Sequence, residues 1–180
     1  YFVAQAPATG REIYRTDGTT TELYIETLPG EADSILNIVG ITDDYTFYNV
    51  YTNSGTYELW RTDGTTNGTI FLQTIAPRFT FSFSFKFNYQ VLNNKLYYVA
   101  YDATHGAELW ATDGTVTNTT LVKDIFLGSN NSGIEELKIF KNQLYFTAQD
   151  GVNGRELWTS DGTTGGTQLL VAINQQEGHS

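Results

Sequence analysis

Four aspartates and four glutamates recur at matching places along the chain, and these carboxylates have the clearest capacity for chemistry. Carboxylates act as a general acid and base when two converge on one substrate, and several together bind a hard cation such as Ca²⁺. One aspartate per loop supplies too few oxygen ligands for such a cation. We therefore expect the aspartates to hold scaffold loops and expect neither a metal nor a cofactor. The aspartates are Asp17, Asp63, Asp113 and Asp161, and the glutamates are Glu12, Glu58, Glu108 and Glu156.

The repeated glutamates are predicted to be structural for a geometric reason. Equivalent positions on successive repeats do not bring two carboxylates within a few ångströms of one substrate. Along a strand, each glutamate and the aromatic residue two positions later point to one face, and stacked sheets cover both faces. We therefore expect the glutamates to be partly buried and consequently hydrogen-bonded.

Three tryptophans, Trp60, Trp110 and Trp158, share one repeat position with Tyr14. Their flat rings can stack on a sugar or a base. Because the position recurs in every copy, we prefer to interpret these residues as packing between repeats. A binding site is more naturally sought where the copies differ.

The candidate ligand-binding residues outside the repeated motif are His105, Arg78 and Asn153, all in predicted loops. His105 has no second His, Asp or Glu at the spacing of a metal site. Arg78 precedes residues 79–87, where every second residue is Phe. This segment is either an inner strand packed between repeats or an edge that pairs with another chain. The loops considered for binding are 6–10, 29–34, 53–56, 77–80, 102–106, 128–132 and 150–154.

The composition limits the classes of function. The chain has 180 residues, with 10 basic against 20 acidic side chains and no cysteine. A net charge of −10 disfavours nucleic acid, which is bound through clustered Lys and Arg. The sequence contains no run of eighteen apolar residues, so no membrane-spanning helix is predicted. The chain starts at Tyr1 inside a repeat, which suggests a processed product or a part of something longer.

The chemistry-bearing residues lie in a repeat of the form E-(L/I)-(W/Y)-x-(T/S)-D-G-T. Its aspartates are separated by 46, 50 and 48 residues, and aromatic pairs such as Tyr97-Tyr98 recur in the same phase. β-Branched and aromatic residues dominate the apolar runs, and helical spacing is absent. The sequence therefore predicts an all-β, β-propeller-like array of four units of about 48 residues. Each is a four-stranded antiparallel blade, the first lacking its innermost strand, with approximate bounds 1–33, 34–79, 80–132 and 133–180.

Turn residues divide each unit into strands. In the last unit, strands are predicted over 134–140, 144–148, 156–159 and 168–173, with a turn at 141–143. Five residues after the aspartate of the last three motifs stand Gly68, Asn118 and Gly166. Gly and Asn tolerate a positive φ, so this position is predicted to be left-handed.

The motifs closely resemble the ELWxxDGT repeat, a family of large secreted or surface-associated bacterial proteins. Three copies match in full, the first differs at Ile13 and Tyr14, and the resemblance covers essentially the whole chain. The D-G-T loop also looks like a shortened relative of the Asp-box turn of sialidase-type propellers. The resemblance implies a propeller-like array exported to the cell exterior, and it implies no particular chemistry.

The favoured hypothesis is a non-enzymatic, extracellular or cell-surface module with a structural or protein-binding role. Its partner would be another protein chain or a surface assembly, reached through a strand edge or the blade loops. The alternative is a lectin-like propeller that binds glycan through those loops. A sialidase-like glycoside hydrolase is less favoured because it needs clustered arginines. Here Arg11 and Arg155 hold equivalent repeat positions, as do Arg15 and Arg61, and no hydrolase or phosphate-binding motif occurs.

Overall fold

A computed structural model describes residues 1–6, 10–25, 35–52, 54–76 and 88–172. These residues form β-strands and no helix, arranged in four antiparallel sheets of three, four, four and four strands. The all-β prediction is confirmed, and each sheet lies within one predicted unit. Within the described ranges, no helix is long and apolar enough to cross a membrane.

Each sheet is a meander in which strands that follow one another in the chain are neighbours. Sheet 1 contains β1 (Phe2–Ala6), β2 (Gly10–Thr16) and β3 (Thr21–Ile25). Sheet 2 contains β4 (Ile35–Ile41), β5 (Thr46–Tyr51), β6 (Tyr57–Thr62) and β7 (Ile70–Ala76). Sheet 3 contains β8 (Tyr89–Leu92), β9 (Lys95–Asp102), β10 (Gly106–Thr112) and β11 (Thr120–Lys123). Sheet 4 contains β12 (Glu135–Phe140), β13 (Gln143–Gln149), β14 (Arg155–Ser160) and β15 (Gln168–Val171).

Two-residue turns set the register at the start of sheets 3 and 4. Asn93 and Asn94 join β8 to β9 with φ values of 50° and 60°, and Lys141 and Asn142 join β12 to β13 with 46° and 60°. Positive φ at both central residues is the type I′ geometry, whose twist matches that of the flanking strands. The predicted turn at 141–143 is confirmed, with Gln143 already serving as the first residue of β13.

Sheet 1 has one strand fewer than the others because β1 corresponds to the second strand of the later sheets. Phe2 on β1 lies opposite Tyr14 on β2. The corresponding pairs are Tyr48 with Trp60, Tyr98 with Trp110, and Phe146 with Trp158. Among the described residues, sheet 1 therefore has no equivalent of β4, β8 or β12.

The hydrophobic core lies between successive sheets. We call the face of a sheet directed toward the next sheet along the chain its rear face, and the opposite face its front face. Three buried clusters each join one rear face to the following front face. They contain Ile13 and Ile25 with Tyr48 and Val50, Leu59 and Ile75 with Leu96 and Tyr98, and Leu109 and Val122 with Leu144 and Phe146. In addition, β4 lies beside β8, and β8 lies beside β12.

Candidate functional site

The D-G-T loop between β10 and β11 is held by its aspartate. Asp113 Oδ1 accepts hydrogen bonds from Thr115 N at 2.9 Å and Thr115 Oγ1 at 2.8 Å. Its Oδ2 accepts a third bond from Asn118 Nδ2 at 2.7 Å. Partial burial opposes ionisation, but these bonds outweigh it and hold the pKa of Asp113 below its usual value. The carboxylate therefore fixes the loop backbone.

The same arrangement recurs in the other D-G-T loops. In the first, shorter loop, Asp17 Oδ1 accepts bonds from the backbone N–H groups of Thr19 and Thr20, both at 2.8 Å. Bonds from the loop lower the pKa of Asp17, led by the backbone N–H of Thr20. In the two remaining loops, the threonine two residues later donates both N–H and Oγ1 to one aspartate oxygen: Thr65 to Asp63, and Thr163 to Asp161.

A second set of bonds closes each full-length loop. In sheet 4, Thr163 Oγ1 accepts from Gly166 N at 2.9 Å, and Thr167 Oγ1 donates to Thr163 O at 2.7 Å. The hydroxyls of Ser160 and Thr167 lie 2.6 Å apart in the buried base of the loop. Bonds of this kind between short polar side chains and nearby backbone stabilise turns without a ligand.

The position five residues after the aspartate does not have a positive φ, so the predicted left-handed conformation is wrong. At Gly68 a Cβ atom would lie 1.9 Å from Asp63 Oδ1, and Gly166 stands in the same relation to its own aspartate. The aspartate carboxylate thus occupies the space of a side chain there. Positive φ occurs instead at the glycine of D-G-T: 92° at Gly18, 90° at Gly64, 95° at Gly114 and 92° at Gly162.

The D-G-T loops of sheets 2 to 4 also dock on the preceding sheet. A Cβ atom at Gly114 would lie 2.4 Å from the ring of Tyr45, which lies in the turn between β4 and β5 of sheet 2. Arg61 stacks over the same ring at 4.1 Å and donates from Nε to Gly114 O at 2.9 Å. Gly64 lies against Tyr24 and Gly162 against Tyr97, whereas Gly18 has nothing within 4 Å of the Cβ position. The repeated glycine therefore serves both a turn and a close contact between sheets.

Glu108 anchors the connection between β11 and β12. Its side chain is buried, and its carboxylate accepts bonds from the backbone N–H groups of Ile125 at 3.1 Å, Phe126 at 3.3 Å and Ser132 at 3.1 Å. Burial raises the pKa of Glu108 to about 7, although the three bonds oppose the rise. The expectation of a buried, hydrogen-bonded glutamate is confirmed for Glu108.

The other repeated glutamates are buried to different degrees. Glu12 and Glu156 are also buried, whereas Glu58 is half-buried. Glu58 Oε2 accepts a hydrogen bond from Trp60 Nε1 at 2.9 Å. These carboxylates lie on separate sheets, and Glu108 and Glu58 are engaged by groups of their own sheet or connection.

The three tryptophans lie in the cores between sheets. Trp158 is buried in the cluster that joins sheets 3 and 4. Trp60 and Trp110 are half-buried and pack against the clusters that precede them in the chain. Trp60 also contacts Phe71 edge-on, with ring centroids 5.7 Å apart. Their burial serves the stacking of one sheet on another.

His105 and Asn153, which the sequence suggested as ligand-binding residues, occupy equivalent turns. His105 Nδ1 lies 2.8 Å from Asp102 Oδ2, and His105 N donates to Asp102 Oδ1 at 2.8 Å. In the next unit Asn153 Nδ2 lies 2.7 Å from Asp150 Oδ2, and Asn153 N donates to Asp150 Oδ1 at 2.8 Å. The hydrogen bond to Asp102 raises the pKa of His105. Each side chain thus fixes its own turn, and the shared offset of three residues from an aspartate is the sequence signal for this role.

Other parts of the predicted binding surface are only partly described. Arg78, the Phe-rich residues 79–87 and the loops 29–34 and 77–80 lie outside the described residues, as does most of loop 6–10. The connection 128–132 is tied to β10, since Asn131 Oδ1 accepts from Ala107 N at 2.8 Å. A cleft of about 460 Å³ lies between β1 and β4. Its lining includes Phe2, Arg11, Asn37 and Ile38.

The described arginines do not form one cluster, because they are divided among sheets 1, 2 and 4. Arg15 pairs with Glu22 in sheet 1, and Arg155 Nη1 donates to Gly133 O at 2.6 Å in sheet 4. In the part of the chain that the structure describes, no group of three or more His, Cys, Asp or Glu is placed to hold a metal ion.

A scan against models of protein families finds no match, and a search of curated proteins finds no significant one. Function is therefore inferred from the geometry of the repeated loops, sheets and turns.

Proposed function

We propose that this chain is a non-enzymatic repeat module of the ELWxxDGT type, with a structural or protein-binding role at or outside the cell surface. The supporting observation is that the side chains with chemical capacity are engaged by the scaffold. Asp113 bonds the loop that follows it, Glu108 bonds three backbone N–H groups, and His105 bonds the aspartate of its own turn.

Repetition strengthens this inference. Asp63, Asp113 and Asp161 each accept the same two bonds from the threonine two residues later. A catalytic carboxylate must present an oxygen to one substrate in one place. An arrangement repeated on three sheets supports building the scaffold instead.

The succession of sheets supports a propeller-like arrangement of four blades. Each rear face packs on the next front face, and the first strands β4, β8 and β12 lie beside one another in turn. In a propeller, four-stranded sheets are repeated radially so that only short edges are left. An extracellular location follows from the resemblance, and antibodies against the chain should label intact cells or the culture medium.

The proposal is tested with a glycan array and a panel of chromogenic glycoside substrates, including sialosides. We expect no saturable binding up to about 500 µM, which is weaker than a specific site with several aligned hydrogen bonds would give. We also expect no turnover. Saturable binding of one glycan class that is lost in Asn153→Ala would overturn the proposal in favour of a lectin. Asn67→Ala, on an exposed D-G-T loop, is the control.

A further inference from the structure

On the front face of sheet 1, Phe2 is exposed, whereas the later sheets bury the residue at its position. Phe2 is 39% exposed, whereas Tyr48, Tyr98 and Phe146 at the same place are 0%, 0% and 1% exposed. Phe2 stacks on half-buried Tyr14 at 5.8 Å, and Leu23 lies opposite Tyr14 on β3. We call Phe2, Tyr14 and Leu23 the front patch.

The rear face of sheet 4 also exposes apolar side chains whose equivalents in sheet 3 are buried. Phe140 precedes the two-residue turn of sheet 4 and is 60% exposed, whereas Leu92 at the same place in sheet 3 is 5% exposed. Leu170 is 45% exposed, and its equivalent Val122 is 5% exposed. Leu157 is half-buried, while its equivalents in the other three sheets are fully buried. We call Phe140, Tyr145, Leu157 and Leu170 the rear patch.

The two patches are the two halves of the interface that recurs inside the chain. At each internal interface, the equivalent of Leu157 on the rear face shares a buried cluster with the equivalent of Phe2 on the following front face. Phe2 and Leu23 in the front patch are exposed, as are Phe140 and Leu170 in the rear patch, so neither patch covers the other within one chain. Contiguous exposed apolar surface of this kind marks an interaction site.

We propose that the front patch of one copy docks on the rear patch of a second copy, continuing the internal stacking of sheets across the boundary between chains. This inference deepens the proposed protein-binding role and rests on it. The partner is a second copy because its rear patch includes Leu157, and the residues at this position in sheets 1 to 3 share a buried cluster with the equivalents of Phe2 at all three internal interfaces.

The first D-G-T loop supports this choice of partner. Gly64 lies against Tyr24 and Gly162 against Tyr97 of the preceding sheet, while the Cβ position of Gly18 is open. In sheet 4 the places of Tyr24 and Tyr97 are taken by Leu170 and Tyr145, which are both in the rear patch. A docked second copy would bring these side chains over Gly18.

The contact is heterologous because one surface of the chain meets a different surface of its neighbour. Heterologous contacts form closed rings when the rotation between copies closes and open filaments when it does not. Either product raises the mass above that of the 20.1 kDa chain. Blocking one patch still leaves the other free to bind, which distinguishes this contact from a symmetric one.

The test is the solution mass of the full chain by sedimentation equilibrium between about 5 µM and 500 µM, the range in which modest interfaces associate. Wild type should rise above 20.1 kDa with concentration. Leu23→Glu in the front patch and Phe140→Glu in the rear patch should each remain monomeric. An equimolar mixture of the two variants should form a dimer of about 40 kDa, twice 20.1 kDa, and no larger species.

Val152→Glu is the matched control, because Val152 is 87% exposed in the loop after β13 and the variant carries the same added charge. It should associate as wild type does. Circular dichroism checks that every variant is folded, and Leu170→Glu replaces Phe140→Glu if the latter unfolds. A monomeric wild type over the whole range, or a monomeric mixture, overturns head-to-tail docking and leaves the non-enzymatic proposal standing. Glycan binding would overturn that proposal without changing the masses.

Discussion

The interface between sheets 3 and 4 and the two ends of the array are built from the same repeat positions, but they differ in burial. Leu109 on sheet 3 is fully buried because sheet 4 covers it, whereas Leu157 at the same position on sheet 4 is only half-buried. Phe146 is buried against sheet 3, whereas Phe2 is exposed. A repeat position therefore specifies which face of the sheet a side chain occupies. The presence of a neighbouring sheet determines how much burial of that side chain contributes to the stability of the fold.

The largest expected difference is between Phe146→Ala and Phe2→Ala. Removing the buried ring of Phe146 leaves a cavity between sheets 3 and 4 and should cost about 3–5 kcal/mol, whereas Phe2→Ala should cost about 1 kcal/mol or less. Urea denaturation at a fixed low protein concentration, followed by tryptophan fluorescence, measures both. Equal losses would mean that sheet 1 is covered in solution.

The glycines of the D-G-T loops provide a second matched pair. Gly114 and Gly18 have φ values of 95° and 92°, so replacement by Ala strains both backbones similarly. Only at Gly114 does the new Cβ also meet a tyrosine ring, at 2.4 Å. We expect a loss of about 2–3 kcal/mol for Gly114→Ala and about 1 kcal/mol for Gly18→Ala in thermal or urea unfolding. A larger loss at Gly18 would contradict the docking of interior loops on the preceding sheet.

The burial of Glu108 should make the free energy of unfolding depend on pH. Its folded pKa of about 7 lies above the ordinary 4.5, so the native state binds more protons than the unfolded state between these values. Its contribution is therefore fully present below about pH 4.5 and is lost as the pH rises through 7, by up to about 3 kcal/mol.

Glu108→Gln should lower stability at pH 5 and flatten this decline, as measured by urea unfolding at pH 5, 6, 7 and 8. Glu58→Gln, at the same repeat position, controls for the loss of one negative charge in a chain of net charge −10. An unchanged slope in Glu108→Gln would show that the decline has another origin.

The smallest expected effect concerns the aspartates of the loops. Asp113→Ala removes three bonds from a partly buried loop and should cost about 1–2 kcal/mol, while Asp17→Ala on the exposed first loop should cost less. Because both folded pKa values are depressed, the stabilisation is present above the ordinary aspartate pKa and is lost as the pH falls through the folded values. Thermal unfolding at pH 7 and pH 3 checks the magnitude and its direction.

Turns and loop hydrogen bonds were largely predictable from sequence, whereas the role of an individual residue within a loop was not always predictable. The turn at Lys141 and Asn142 and the clasp of Asp113 on Thr115 involve residues close in the chain, so their residue types already predict them. The prediction of a positive φ at Gly68 is wrong because glycine is needed there for another reason: the Asp63 carboxylate leaves no room for a side chain. For His105 and Asn153, the shared spacing from Asp102 and Asp150 is visible in the sequence, but only the structure shows that both side chains bond those aspartates.

The all-β class, the four repeats, the missing first strand of the first unit and the loop bonds are predictable from the sequence, because alternation, turn residues and short polar side chains act over a few residues. The tertiary structure was needed to show that Gly64, Gly114 and Gly162 lie against tyrosines of the preceding sheet or its turn. It also decided that Glu108 is buried against a distant backbone segment, and that Phe2 and Phe140 are exposed while their equivalents are buried. The repeated sequence gives every sheet similar apolar faces, including the first and the last sheet. How far each face is buried depends on whether another sheet packs against it.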